Sequence, residues 1–202
     1  IKIFMKNIVI ILLIIAGILF LTVLTAIPAY NTMKESNNKI EQAWSNLQAQ
    51  YQSRYDKIDN LVATVKGAAG FEKSTLTDVI NARANATKIT IDPKDMTPEK
   101  LKELQSAQGN LSQALGRLMF VSEQYPNLKT SQNFLDLQAQ IEGIENRILR
   151  SREEYNKVVL EYNNSISTFP RNIIAGMFGF QHKSAFEAID AAQNAPKVDF
   201  GK

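Results

Sequence analysis

The chain has 202 residues, a formal charge of +3, no cysteine and a single histidine, His182. Without cysteine it can hold no disulfide, thiolate metal site or cysteine nucleophile, and one histidine leaves zinc sites and Ser–His–Asp catalysis poorly supplied. Lys2 and Lys6 carry two of the three excess positive charges, so the remainder is nearly neutral and no nucleic-acid partner is expected.

The first element is the run Ile8–Ile27, IVIILLIIAGILFLTVLTAI, which has no charged, amide or imidazole side chain. Its length of about 20 residues is what an α-helix needs to cross a hydrocarbon core of roughly 30 Å, and a helix crosses with its backbone groups satisfied. Ala26-Ile27-Pro28-Ala29 lacks the small-x-small spacing of a signal cleavage site, and the apolar core is long for a signal peptide. The expectation is an uncleaved single-pass anchor over residues 1–29. Lys2 and Lys6 favour a cytoplasmic N-terminus, with the following domain outside the cytoplasm.

Removing the anchor leaves roughly 170 residues, enough for one domain with its own core. In that domain Ile40, Trp44, Leu47, Tyr51, Tyr55, Ile58, Val62, Val65 and Ala69 follow in steps of three and four. Such a seam marks a helix packed lengthwise against others, and Trp44, the only tryptophan, belongs to it as a core residue. Gly67 and Gly70 interrupt the pattern and read as a turn between helices, with a kink as the other reading. Past them Leu76, Val79, Ile80 and Arg83 share a face.

Lys88–Thr97 is a loop, closed by a threonine N-cap with Pro98 at the first helical position. Leu101, Leu104, Gln108, Leu111, Leu115, Leu118 and Ser122 then form a third seam, ending at Tyr125-Pro126. The fourth pattern is the longest and runs from Phe134 through Leu137, Ile141, Ile144, Ile148, Tyr155, Val159, Tyr162 and Ile166 to Phe169, before Pro170. No stretch alternates at period two for long enough to make a strand. The fold class is therefore all-α: an N-terminal transmembrane helix, then an antiparallel four-helix bundle over residues 30–170, then an amphipathic segment and tail over 171–202.

Beside the fourth seam lie Glu145, Arg152, Asn156 and Asn163, spaced seven, four and seven, hence on one helix face. Three readings are open: a solvated flank, a hydrogen-bonded network that sets register in the bundle, or a ligand face. Arg54, Arg83 and Glu123 are candidates to join such a network.

The run EGIENRILRSREEYNKVVLEYNNSISTFP, Glu142 to Pro170, resembles the signature of the LemA family. Tyr30-Asn31, Ala43-Trp44-Ser45-Asn46, Arg54 with Asn60-Leu61-Val62, Ala82-Arg83, Glu123-Gln-Tyr-Pro126 and Pro196-Lys-Val-Asp-Phe200 are similar too, so the resemblance covers roughly residues 28–200. It implies one membrane helix and a helical bundle in a bacterial envelope protein, and an accessory role beside other membrane proteins without a defined chemistry. Where relatives often carry proline before Asn-Leu-Val this chain has Asp59, and where many carry His-Glu after the glycines it has Phe71-Glu72. The first helix should then run on without a kink, and a histidine ligand after the turn is ruled out here.

After Pro170, the residues Ile173, Ile174, Met177, Phe178 and Phe180 form an apolar cluster edged by Arg171, His182 and Lys183. Either it folds back to cap the bundle, or it sits on lipid headgroups or a neighbouring subunit. With four antiparallel helices the chain returns to the membrane end, which places this cluster near the bilayer. His182 reads as an exposed flank residue.

No nucleotide-binding glycine loop, nucleophile elbow, zinc-protease or calcium-loop motif is present. The expected function is structural: a membrane-anchored, self-assembling scaffold or interaction protein rather than an enzyme, with no cofactor. Its expected partners are the lipid bilayer, further copies of itself and other envelope membrane proteins. The alternative is a ligand- or peptide-binding regulatory module that uses the polar stripe.

Overall fold

The computed structural model describes residues 2–68, 70–93 and 95–187, and the side chains at 2–6, 8, 9, 18, 19, 21 and 22 are not among those described. Among these residues six helices follow in order: α1 Lys2–Lys66, α2 Lys73–Lys88, α3 Pro98–Ser122, α4 Pro126–Lys129, α5 Gln132–Ser167 and α6 Arg171–Met177. Among the described residues there is no strand. The class is all-α.

The apolar run and the first seam are one helix. α1 has 65 residues and continues through Pro28, which makes it, not the fourth pattern, the longest element. The expected membrane-crossing segment meets a narrower finding, because among the described residues no helix is long and apolar enough to cross a membrane. Within that stretch Ile10 to Ile15, Phe20, Val23, Leu24 and Ile27 are all 45% exposed or more.

The chain forms two compact units. One contains the described residues up to Gln42 together with Val158–Lys183, and the other contains Ala43–Lys157 together with the described residues from Ser184 on. In the first, Met33 and Ile40 of α1, Val159, Tyr162 and Ile166 of α5 and Ala175 of α6 are buried.

In the second unit, contacts set the helix directions. Trp44 meets Tyr155 and Gln50 meets Arg147, so α1 and α5 run antiparallel. Asp59 pairs with Arg83, and Tyr55 with the Ala86 carbonyl, so α2 runs back along α1. Phe71 meets Tyr125 and Asp78 pairs with Arg117, so α3 reverses again. The glycine stretch is thus a turn. α1 stops at Lys66, Gly70 takes a φ of +81°, which favours a residue without Cβ, and α2 starts at Lys73.

The period-3.6 patterns map well onto burial. The buried residues of α3 are the seven named from its spacing, since a helix packed along one side buries residues three and four apart. On α5, Leu137 is only half-buried and Phe169 lies exposed past the helix end. On α2, Thr75 and Ala86 are buried while Ile80 is exposed, so that seam is rotated from its expected line. Thr97 caps α3 by accepting from the Lys100 N–H at 3.3 Å. The Pro196–Phe200 stretch and Ala69 lie outside the described residues.

Candidate functional site

The polar face of α5 supplies two arrangements in the second unit. The first centres on Arg54 of α1, which is 1% exposed. Its Nη1 donates to Glu145 Oε1 at 2.6 Å and to Ser112 Oγ on α3 at 3.1 Å. The guanidinium also stands 5.8 Å from the Tyr51 ring centroid, while its buried Nε and Nη2 have no hydrogen-bond partner. Three helices therefore meet at one charge. A buried cation is tolerated only when an anion and hydrogen bonds offset its lost hydration, which ties α1, α3 and α5 to one register.

The second arrangement holds the segment after α6. Asn156 Nδ2 donates to the Phe186 carbonyl at 3.0 Å, and its Oδ1 accepts from the Phe186 N–H at 2.9 Å. One residue earlier, the Tyr155 hydroxyl donates to the Ser184 carbonyl at 2.9 Å and lies against Met96 Sδ. Gln105 of α3 donates to the Glu187 carbonyl at 3.1 Å. The Phe186 ring is buried against Trp44 and Tyr155, with the Arg152 guanidinium 4.7 Å above it. Backbone groups laid against apolar surface need such partners, because buried unpaired N–H and C=O groups are costly.

The first unit repeats the device. Tyr162 donates to the Gln181 carbonyl at 3.0 Å, and Asn163 exchanges two hydrogen bonds with the Lys183 backbone at 2.9 Å each. In both units a Tyr–Asn pair of α5 binds the segment, the tyrosine taking the carbonyl two residues before the one clamped by the asparagine.

Burial sets the tyrosine electrostatics. It pushes the Tyr51 hydroxyl up to about 12, against the lowering influence of Arg152 and Arg54. It also raises Tyr155 and Tyr162, and it raises Tyr55 despite the hydrogen bond from Gln108.

The predicted site residues thus separate. Arg54 and Glu145 come together, and Arg152 and Asn156 come together around Phe186. Asn163 holds Lys183 in the other unit. Arg83 pairs with Asp59 and donates to the Tyr55 carbonyl, while Glu123 stands exposed as the C-cap of α3. Of the apolar cluster, Ile173, Met177 and Phe178 are exposed, Ile174 and Phe180 half-buried. His182 is exposed and lies 3.3 Å from Ser167 Oγ.

Sequence reasoning missed the held segment and the two hydroxyls. A signal existed: Tyr155-Asn156 recurs as Tyr162-Asn163 after seven residues, one heptad apart. The receiving segment carries no such mark, because side chains that bond to backbone accept almost any sequence.

Concavities in the second unit include two among its described residues. One, of about 140 Å³, is lined by residues including Trp44, Tyr51, Tyr55 and Leu104. The other, of about 580 Å³, lies between the first half of α3 and Ala185 and Glu187. Among the described residues no group of three or more His, Cys, Asp and Glu side chains converges.

A model of the LemA family matches residues 43–200. The chain is 27% identical to Protein LemA of Metamycoplasma hominis over 160 residues, 79% of this chain and 69% of that protein. It is 27% identical to Magnetosome protein MamQ 2 of Paramagnetospirillum magneticum over 180 residues, 81% of this chain and 66% of that protein. Magnetosome protein MamQ of Magnetospirillum gryphiswaldense is 34% identical over 85 residues, 42% of this chain and 31% of its own length. The chain thus spans about two thirds of the first two relatives.

Proposed function

The chain belongs to the LemA family, and on that premise we propose that it is a membrane-anchored helical scaffold of the bacterial envelope that assembles with itself and with other envelope membrane proteins. The observation that carries the membrane part is the exposed apolar stretch of α1. Ile10 to Ile15 are consecutive, cover every side of the helix and are 45% exposed or more. A helix that is apolar all round is stable in lipid or in a protein core. Lys2 and Lys6 favour a cytoplasmic N-terminus, with the helices that follow the apolar stretch outside. The scaffold part rests on helix faces rather than chemistry. Leu135 and Leu149, fourteen residues apart on one side of α5, are exposed, as is Phe120 on α3, and apolar helix faces of this kind pair with their like.

The test is the mass of the full chain in mild detergent, with protease protection in intact and permeabilised cells. Assembly predicts a mass above one chain, and a strict monomer that captures no envelope partner overturns it. Extraction of the full chain from membranes by carbonate overturns the anchor.

A second reading is favoured by one observation. The polar face of α5 already binds peptide backbone, at Phe186 through Asn156 and at Ser184 through Tyr155, and so has the chemistry of a peptide site occupied by the chain's own segment. A synthetic peptide of residues 181–187 should stabilise the Phe186→Ala chain against heat and fail to do so when Arg152→Ala is added. Equal stabilisation of both would rule out this face as the site.

A further inference from the structure

The first unit presents an apolar patch whose surroundings define what covers it. Phe169, Ile173, Met177 and Phe178 are between 56% and 78% exposed, although they belong to a short segment whose Ala175 is buried. α6 is thus docked by one side and apolar on the other. From Tyr162 to Phe186 the chain carries no carboxylate, while Arg171 and Lys183 are positive.

The position of the patch is set by Tyr30. Its ring packs against Phe178, centroids 4.9 Å apart, and against Phe180 at 5.6 Å. Tyr30 follows Ile27, the last residue of the uncharged apolar stretch, by three positions on the continuous helix α1, or about 4.5 Å along its axis. The headgroup layer on each side of a bilayer is about 5–7 Å thick. If residues 8–27 cross the hydrocarbon core, the Tyr30–Phe178–Phe180 cluster lies within that layer. Aromatic rings prefer that depth, and an apolar face edged by cations is suited to an anionic lipid surface.

We infer that α6 and the residues on either side of it, Phe169 to Phe180, form a second membrane contact that lies on the anionic headgroup surface beside the exit of α1. This rests on the membrane reading of α1 given above. The segment then holds the first unit at two points, which fixes its tilt against the bilayer, where a lone helix would let it swivel. A second copy of the chain would account for exposed apolar side chains but not for the missing carboxylates or for the depth set by Tyr30.

The lack of cysteine allows a clean test. Three single-cysteine chains, Phe20→Cys, Met177→Cys and Gln113→Cys, are labelled with an environment-sensitive nitrobenzoxadiazole dye. Each is reconstituted at one chain per nanodisc of phosphatidylglycerol and phosphatidylcholine, with or without spin-labelled lipid, the nitroxide lying near the headgroup for positions 177 and 113 and deep in the acyl chain for position 20. Position 177 should lose emission by about twofold or more with the quencher, and position 113 should not change. Emission at 177 that is insensitive to the quencher overturns the second contact, whether the dye faces water or is covered by protein. Position 20 separates the two readings: quenching there without quenching at 177 sinks only this inference, and its absence at 20 sinks the anchor. Phosphatidylcholine alone should weaken quenching at 177 and leave it intact at 20, and equal quenching in both lipids removes the role of lipid charge.

Discussion

Asn156 grips Phe186 by the backbone, giving one hydrogen bond and taking another through the two ends of a single side-chain amide. The ring of the same residue is buried against Trp44. A side chain on α5 and an aromatic on α1 thus fix one residue of a segment that has no helix of its own.

Asn156→Ala should release that segment. Two hydrogen bonds at about 1 kcal/mol each are lost, and Phe186 loses its fixed backbone. Trp44 is the only tryptophan, so its emission reports the change directly. Asn156→Ala and Phe186→Ala should both shift that emission and speed hydrogen exchange at residues 183–187, while helix content stays constant. Unchanged exchange in Asn156→Ala would show that the ring alone holds the segment.

Arg54 and Glu145 are unequal partners, since Arg54 is 1% exposed and the Glu145 side chain 36%. Glu145→Ala leaves a buried guanidinium with Ser112 alone and should cost about 2–4 kcal/mol. Arg54→Met leaves a carboxylate that can turn to water and should cost clearly less. Thermal unfolding of the two variants in the same detergent decides the order, and the reverse order would show that the arginine acts mainly by packing.

The tyrosines predict alkaline unfolding. A hydroxyl whose folded value lies above its ordinary 10 binds its proton more tightly in the native state. Its contribution is fully present below pH 10 and is lost as the pH rises toward 12 for Tyr51. Tyr55, Tyr155 and Tyr162 shift in the same direction. At about pH 11 the folded chain should show less phenolate absorbance than the unfolded chain. Full ionisation of Tyr51, Tyr55, Tyr155 and Tyr162 at that pH without loss of helix would contradict their burial.

Gly70 turns the chain between α1 and α2 with a φ of +81°, and a Cβ there would meet nothing within 4 Å. The cost of Gly70→Ala is therefore conformational, about 1 kcal/mol, and Gly70→Asn should cost less because asparagine tolerates that region. Melting temperatures in the order glycine, asparagine, alanine check this. Tyr125→Phe should weaken the same turn, because its hydroxyl donates to the Gly70 carbonyl at 3.1 Å.

Most of the helices can be read from the sequence because helix periodicity is local. Leu101 to Ser122 repeat by three and four, and one helix buries one side whatever its neighbour is. Thr97-Pro98 and Gly70 mark their boundaries for reasons contained in a few residues of backbone. Tertiary contact alone decided how the polar stripe divides. Glu145 went to Arg54, ninety-one residues away, and Asn156 went to the backbone of Phe186, thirty residues away. Spacing places polar groups on a face but does not say what approaches it. Phe186 shows why most clearly: its ring is buried among residues of two helices, its backbone is bound by side chains indifferent to its sequence, and nothing near it in the chain announces either.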